Sequence, residues 1–337
     1  MTTRKRFHQI LDDFGSTTVL LLGDLVLDRF VLGTPKRISR EAPLIILRYE
    51  GQRDVPGGGA NALANLASLG VRVIPVGVVG DDEPGEALRS SLSERGIDVD
   101  SILTVAGFRT PTKVRILGGG SSSLKHQVAR YDIEDHLPPG GPWLTLLLDI
   151  LDSRMSEVNT VAISDYGYGT VAKEAIDRLL QTAGRPKWVC ADSRYAISSL
   201  KGIDGATPNL QELERTVGRR LVTDDDITEA SETLRKRLDA RFLLATRGNR
   251  GMTLVEDGRP AVHIPVFGTD EVADVTGAGD TVLAVLTAAL AAGANPEEAA
   301  KMANYGGGVV VMKLGTATVT RDELSAAVEQ DLGRSAL

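Results

Sequence analysis

Five short apolar runs, each closing on small or polar residues, constrain this chain more than any other feature. They are "TTVLLLGDLVLD" (17–28), "VRVIPVGVVGDD" (71–82), "TVAISDYG" (160–167), "KWVCADSR" (187–194) and "RFLLATRG" (241–248). Short runs of this kind, rich in β-formers, indicate strands buried on both faces. Between them stand helical stretches: "ANALANLASLG" (60–70), "EPGEALRSSLSERG" (83–96), "VAKEAIDRLLQTAG" (171–184) and "DITEASETLRKRLDA" (226–240). The alternation predicts an α/β fold: a doubly wound, mostly parallel sheet with helices on both faces. Ligands of such sheets gather beyond the carboxyl ends of the strands. Asp24, Asp28, Asp165, Asp192 and Thr246 fall at those ends.

Two regions lack the alternation. Residues about 30–55 and 109–132 read as strands without helices, which predicts a small antiparallel β lid within one domain spanning 1–337. "LGGGSSSL" (117–124) reads as a flexible hairpin tip. As a lid over the strand ends, these segments would turn Arg37, Lys113 and Arg130 toward a ligand; as surface hairpins they would not. Lid strands with free edges also favour pairing of two copies across a twofold axis, so a homodimer through the lid is expected.

Composition narrows the partners. Hydrophobic residues make up 42% and charged residues 25%, enough for a full core under a polar surface. The net charge of −7 argues against nucleic acid, whose phosphate backbone needs a basic face. The single cysteine, Cys190, excludes an intrachain disulfide and fits a reducing cytosol. The N-terminus shows no signal peptide, and "TVLAVLTAALAAGA" (281–294) is too short to span a bilayer. A cytoplasmic protein without membrane contact is therefore expected. His8, His126, His136 and His263 show no metal-ligand spacing.

The chemistry concentrates in "DVTGAGDTVLAVL" (274–286). After Gly279 the helix is apolar nearly all round, which marks it as central. Its first turn leaves backbone N–H groups without partners, and these groups with the helix dipole favour an anion. Glycines admit a phosphate close to the backbone. Asp280 beside such a hole is reasonable if it takes a proton from a hydroxyl attacking a γ-phosphoryl group; otherwise it is a routine first-turn acid. No G-x-x-x-x-G-K-[ST] loop is present, and Gly277-Ala278-Gly279 lacks the third glycine and preceding strand of a dinucleotide fingerprint.

"DVTGAGD" (274–280) resembles the C-terminal signature of the ribokinase-like, or PfkB-type, carbohydrate kinases, and "PGGGANALANLASLG" (56–70) resembles their N-terminal signature. The resemblance runs from about Val19 to about Val319. It implies an ATP-dependent kinase with Asp280 as base and Gly277, Ala278 and Gly279 as the anion hole. It implies Asp28, Gly57, Gly58 and Asn61 at the sugar hydroxyls, with Asp165 a further sugar-side candidate. "PNLQE" (208–212) resembles the family's N-x-x-E motif, implying that Asn209 and Glu212 organise Mg²⁺ through water; the same residues also make a helix cap with a capping box. Thr246 and Gly248 fall where the triphosphate is met, and Asn304 and Gly315 near the adenine. Asp274 and Thr276 fall where many relatives bind a monovalent cation such as K⁺.

Within the family, "GDLVLDRF", "RISREAP", "TKVRIL", "ARYDIED", "ISDYGYG", "ATRGNRGM" and "KLGTATV" resemble the kinases that act on the anomeric hydroxyl of D-glycero-D-manno-heptose 7-phosphate. The chain stops where the kinase part of fused forms would stop, so the stand-alone form is expected. Three residues depart from that pattern: Tyr168 replaces Lys near the sugar pocket, Arg40 replaces Pro, and "DSR" (192–194) replaces D-P-K. Arg194, beside Asp192, is expected on the nucleotide side as a phosphate partner in place of Lys. Kinases for other sugars or sugar phosphates, and a non-catalytic sugar sensor on the same scaffold, are the alternatives.

Overall fold

The computed structural model describes residues 3–120, 125–181, 184–268 and 273–334. Half of the hairpin tip expected at 117–124, residues 121–124, lies outside the described residues. The strands are β1 (Thr18–Gly23), β2 (Leu25–Ile38), β3 (Ile45–Gly58), β4 (Arg72–Gly80), β5 (Ile102–Val105), β6 (Thr112–Gly118), β7 (His126–Ile133), β8 (Thr160–Asp165), β9 (Trp188–Ser193), β10 (Gly205–Ala206), β11 (Phe242–Thr246), β12 (Met252–Glu256) and β13 (Val262–Ile264). The helices are α1 (Thr3–Asp13), α2 (Gly59–Ser68), α3 (Glu83–Ser93), α4 (Pro142–Arg154), α5 (Lys173–Gln181), α6 (Leu210–Val217), α7 (Asp224–Leu238), α8 (Ala278–Ala291), α9 (Pro296–Val310) and α10 (Arg321–Arg334).

The main sheet has the order β13-β12-β11-β10-β9-β8-β1-β4-β5. Pairings from β11 through to β5 are parallel, and β12 and β13 add an antiparallel margin. Its strands are apolar on both faces because helices cover both. In β1, Val19 and Leu21 enter one core with α1, α2, α8 and α9, whereas Leu20 and Leu22 enter a second core with α4, α5 and α7. A one-residue slip of β1 would exchange the two sets, but both are apolar, so register rests on the flanking ladders rather than on polarity.

The second sheet, β3-β2-β6-β7, crosses the strand ends. Its outer pairs are antiparallel, and β2 runs parallel to β6. One residue, Asp24, separates β1 from β2, and β3 leads directly into α2. The lid is therefore tied to the main sheet at the point where the ligand-binding ends of the strands emerge. No helix among the described residues is long and apolar enough to cross a membrane.

Candidate active site

Helix α8 is buried from Asp280 to Leu290. Gly277 precedes it in the left-handed region at φ 79°, and a Cβ there would sit 2.5 Å from Asn61 Nδ2, so only glycine fits this turn without strain. The N–H of Ala278 donates to the carbonyl of Val275 at 3.2 Å. That corrects the expected anion hole at its middle member: among the described residues, the amides left without an acceptor are those of Gly277, Gly279 and Asp280. They face outward at the positive end of a buried helix.

Asp280 is 2% exposed. Its Oδ1 accepts from the Tyr166 hydroxyl at 2.9 Å and its Oδ2 from Asn61 Nδ2 at 3.2 Å. Burial pushes its pKa up to about 7; the hydrogen bonds from Asn61 and Tyr166 and the charge of Lys113 pull it down, and Asp28 pushes it up. A carboxylate so poised is half charged near neutral pH and able to accept a proton there.

On one side of Asp280 lies an apolar hollow of about 180 Å³, lined by Thr246, Gly248, Phe267, Val282, Asn304 and Gly307. Ala278 and Gly279 form part of its wall. Thr246, Gly248 and Asn304 thus come together; the Asn304 side-chain amide donates to the carbonyl of Pro265 at 2.8 Å. Gly315 does not line this hollow. Its N–H holds Asp274 Oδ2 at 3.0 Å, and it lies toward Phe30 of the lid. Asp274 Oδ1 takes the N–H and hydroxyl of Thr276, so this carboxylate is committed to its own loop.

Two more acids, Asp192 and Glu212, lie near Asp280. Asn209 caps α6 by accepting from the Glu212 N–H, while Glu212 Oε2 accepts from the Asn209 N–H, both at 2.9 Å. Glu212 is buried, and burial pushes its pKa up. Asp192 is pushed well up too, by burial first and then by the charges of Glu212 and Asp280. A carboxylate raised by two neighbouring acids suits a divalent cation, which would relieve that repulsion. Among the described residues no group of three or more His, Cys, Asp or Glu is placed to hold a metal. An ion there would be held mainly by phosphate oxygens and water, as Mg²⁺ commonly is.

On the other side of Asp280, the buried carboxylate of Asp28 takes Arg115 Nη1 at 2.6 Å and the Thr316 hydroxyl at 2.8 Å. Gly57, near the end of β3, lies against it: a Cβ would come within 2.7 Å of Asp28 Oδ2. Gly58 follows, and Asn61 stands in the first turn of α2, bonded to both Asp280 and the carbonyl of Gly277. Next to them opens a polar hollow of about 280 Å³, whose lining includes Lys113, Arg130, Glu134, Tyr166, Tyr168 and Arg194. Arg194, expected with the nucleotide, shares this hollow with Lys113 and Arg130. Arg130 is paired with Asp132 at 2.6 Å, and the Tyr168 hydroxyl donates to Glu134 at 3.0 Å. Lys113 is 8% exposed, and its ammonium makes no side-chain hydrogen bond among the described residues.

Two expected sugar-side residues stand elsewhere. Arg37 is exposed at the far end of β2, nine residues from Asp28, roughly 30 Å along an extended strand, and lines neither hollow. Asp165 is turned inward: Oδ1 accepts from the Gly167 N–H and Oδ2 from the Ser193 hydroxyl, so it shapes the turn after β8. Three residues that stand inside the quoted segments "ISDYGYG", "TKVRIL" and "KLGTATV" but receive no role from them, Tyr166, Arg115 and Thr316, hold the two central carboxylates instead. Arg115 had a signal, since it lies two residues beyond Lys113 on one face of a strand.

A doubly wound sheet, a lid across its strand ends and a buried acid behind free helix amides define a ribokinase-like carbohydrate kinase. The model for "pfkB family carbohydrate kinase" matches residues 25–323, and the chain belongs to that family. It is 41% identical over 320 residues to the bifunctional protein HldE of Nitrosococcus oceani, covering 94% of this chain and 65% of that protein. It is 39% identical to the HldE of Pseudomonas aeruginosa, again covering 65% of it. The chain thus spans about 65% of the length of these curated relatives. Among solved structures, Arabidopsis thaliana ribokinase complexed with ribose and ATP superposes with a TM-score of 0.72 at 19% identity, covering 93% of this chain and 98% of that one. Phosphofructokinase-2 from Escherichia coli, in complex with substrates and products, gives 0.73 at 19% identity, covering 93% and 99%.

Proposed function

We propose that the protein transfers the γ-phosphoryl group of ATP to the anomeric hydroxyl of a sugar phosphate, D-glycero-D-manno-heptose 7-phosphate being the acceptor its sequence favours. One observation carries this reading: Asp280, with a pKa near 7, sits behind free helix amides at the junction of an apolar and a cationic hollow. The apolar hollow takes the nucleotide, with Thr246 and Gly248 toward the phosphates. Asp28, Gly57 and Asn61 hold the sugar. Lys113, Arg130 and Arg194 hold its distal phosphate, since a buried ammonium and two guanidiniums outweigh the acids beside them. The similarity to HldE and the heptose-kinase segments support this acceptor.

In the reaction the acceptor O–H gives its proton to Asp280 as its oxygen bonds to phosphorus and the bond to the ADP oxygen breaks. The amides of Gly277, Gly279 and Asp280 stabilise the migrating group, which is where positioned dipoles contribute most. Mg²⁺, when bound, would neutralise charge on the phosphoryl oxygens, with Glu212 holding it through water. Two copies pair through the lid, where Ile38, Ile45 and Tyr49 stand more than half exposed.

A panel of sugars and sugar phosphates, assayed for ADP release, tests the reading. Heptose 7-phosphate should give the highest kcat/KM, and Asp280→Asn should lose at least about a hundredfold in kcat while still binding ATP. A near-native rate from Asp280→Asn would refute it.

A further inference from the structure

We propose that Tyr166 is a positioning residue that ties the base Asp280 to the cationic hollow where the acceptor's anionic end binds. Tyr166 follows β8, and its backbone N–H is pinned to Asp24 Oδ2 at 2.8 Å. Asp24 also accepts from the N–H groups of Tyr168 and Thr170, so this turn is held from below by one buried carboxylate. The phenol then reaches across to Asp280 Oδ1 at 2.9 Å. On its face, Lys113 Nζ stands 4.6 Å from the ring centroid. One side chain therefore touches the proton acceptor with its hydroxyl and the buried ammonium of the hollow with its ring.

Without the phenol, Asp280 keeps a single side-chain partner, Asn61, and its carboxylate is free to turn about Cβ–Cγ. With it, both oxygens are fixed, and an acceptor hydroxyl meets a base already aimed. The charged groups facing this pair are Lys113 and Asp28 around Asp280, and Asp192 and Arg194 around Tyr166. The ammonium over the ring draws electron density from the phenol and strengthens its donation. An anion docked on Lys113 fixes the ammonium there, so occupancy of the hollow and alignment of the base reinforce each other. This rests on the reading of Asp280 as base.

The test is Tyr166→Phe in the full chain, which keeps the ring under Lys113 and removes only the hydroxyl. Kinetics use heptose 7-phosphate or, failing turnover of that sugar, whichever member of the acceptor panel the parent phosphorylates best. Losing a hydrogen bond to a charged group should move the acid limb of kcat/KM up by about one pH unit. At pH 7 kcat/KM should fall by about fivefold, with KM for ATP unchanged. A second readout needs no turnover: the pH midpoint of the stability difference between Asp280→Asn and its parent reports the Asp280 carboxyl. In the Tyr166→Phe background that midpoint, which lies halfway between the unfolded and folded values, should move up by about half a pH unit. Lys113→Met should raise KM for the phosphorylated acceptor and shift the limb in the same direction. Limb and midpoint unmoved by Tyr166→Phe would overturn the proposal, and a limb unmoved by Lys113→Met would overturn its link to the hollow. An inactive Asp280→Asn beside a native-like Tyr166→Phe sinks this inference alone, whereas an active Asp280→Asn sinks the base itself.

Discussion

Burying Asp280 has a thermodynamic consequence that can be measured without substrate. An unfolded aspartate titrates near 3.9, and Asp280 in the fold is pushed up to about 7. Its folded state therefore prefers the proton, and its contribution to stability is complete at low pH and lost as pH rises through about 7. Asp280→Asn removes that titration. The variant should gain on its parent between pH 4 and pH 8, by up to about 4 kcal/mol, as read by chemical denaturation at both pH values. The same titration governs rate in the opposite sense, since catalysis needs the charged form: kcat/KM should fall tenfold per unit below pH 7. A single group that destabilises the fold at the pH where it becomes useful is a common arrangement at active sites. At this scale the sequence discloses Asp280, Asn61 and Lys113, because signature and charge mark them. It hides Tyr166, whose place is set by Asp24, 142 residues away in the chain. It also suggests a sugar-side role for Asp165, whose carboxylate in the fold accepts from the Gly167 N–H and the Ser193 hydroxyl.

Helix α6 shows how an element can serve stability and ligand together. The reciprocal bonds between Asn209 and Glu212 close its first turn and hold the Glu212 carboxylate toward Asp192. Asn209→Ala should cost about 1 kcal/mol and raise KM for MgATP: the Glu212 carboxylate keeps the backbone N–H of residue 209, but the Glu212 N–H loses its capping oxygen and the turn that carries it loosens. Asn209→Ser keeps a capping oxygen and the backbone N–H that Glu212 grips. It should restore both thermal stability and KM; restored stability with a KM still raised would assign the Asn209 amide its own contact with nucleotide. The elements themselves were legible where hydrophobic runs were long enough to show a period. The first apolar run is in fact two strands, β1 and the start of β2, turning at Asp24 between the two sheets. A strand of two residues such as β10 shows no period, and the β12–β13 margin carries exposed and half-buried positions that blur its alternation.

For the whole molecule, the proposed pairing of two copies turns on the lid. Ile38 pairs with Ile45 across β2 and β3, and Leu47 meets Val128 over Gly118, so Ile45, Leu47 and Tyr49 continue one apolar face. Ile38, Ile45, Tyr49 and Val128 are 70%, 51%, 65% and 47% exposed, more contiguous apolar surface than a sheet facing water should carry. A second lid laid on this face would bury it and hold both β2 strands, and with them Asp28 and Phe30, against their strand ends. Sedimentation should then give a mass near twice 35.9 kDa at micromolar concentration. Ile45→Asp with Tyr49→Asp should return the single-chain mass. Because Asp28 sits on β2 and Lys113 and Arg115 on β6, loosening the lid should raise KM for the sugar several-fold and leave KM for ATP, which the proposed function seats against the main sheet, nearly unchanged. A parent that sediments as one chain with full activity would show that the lid stands without a partner, and its exposed face would then need another reason.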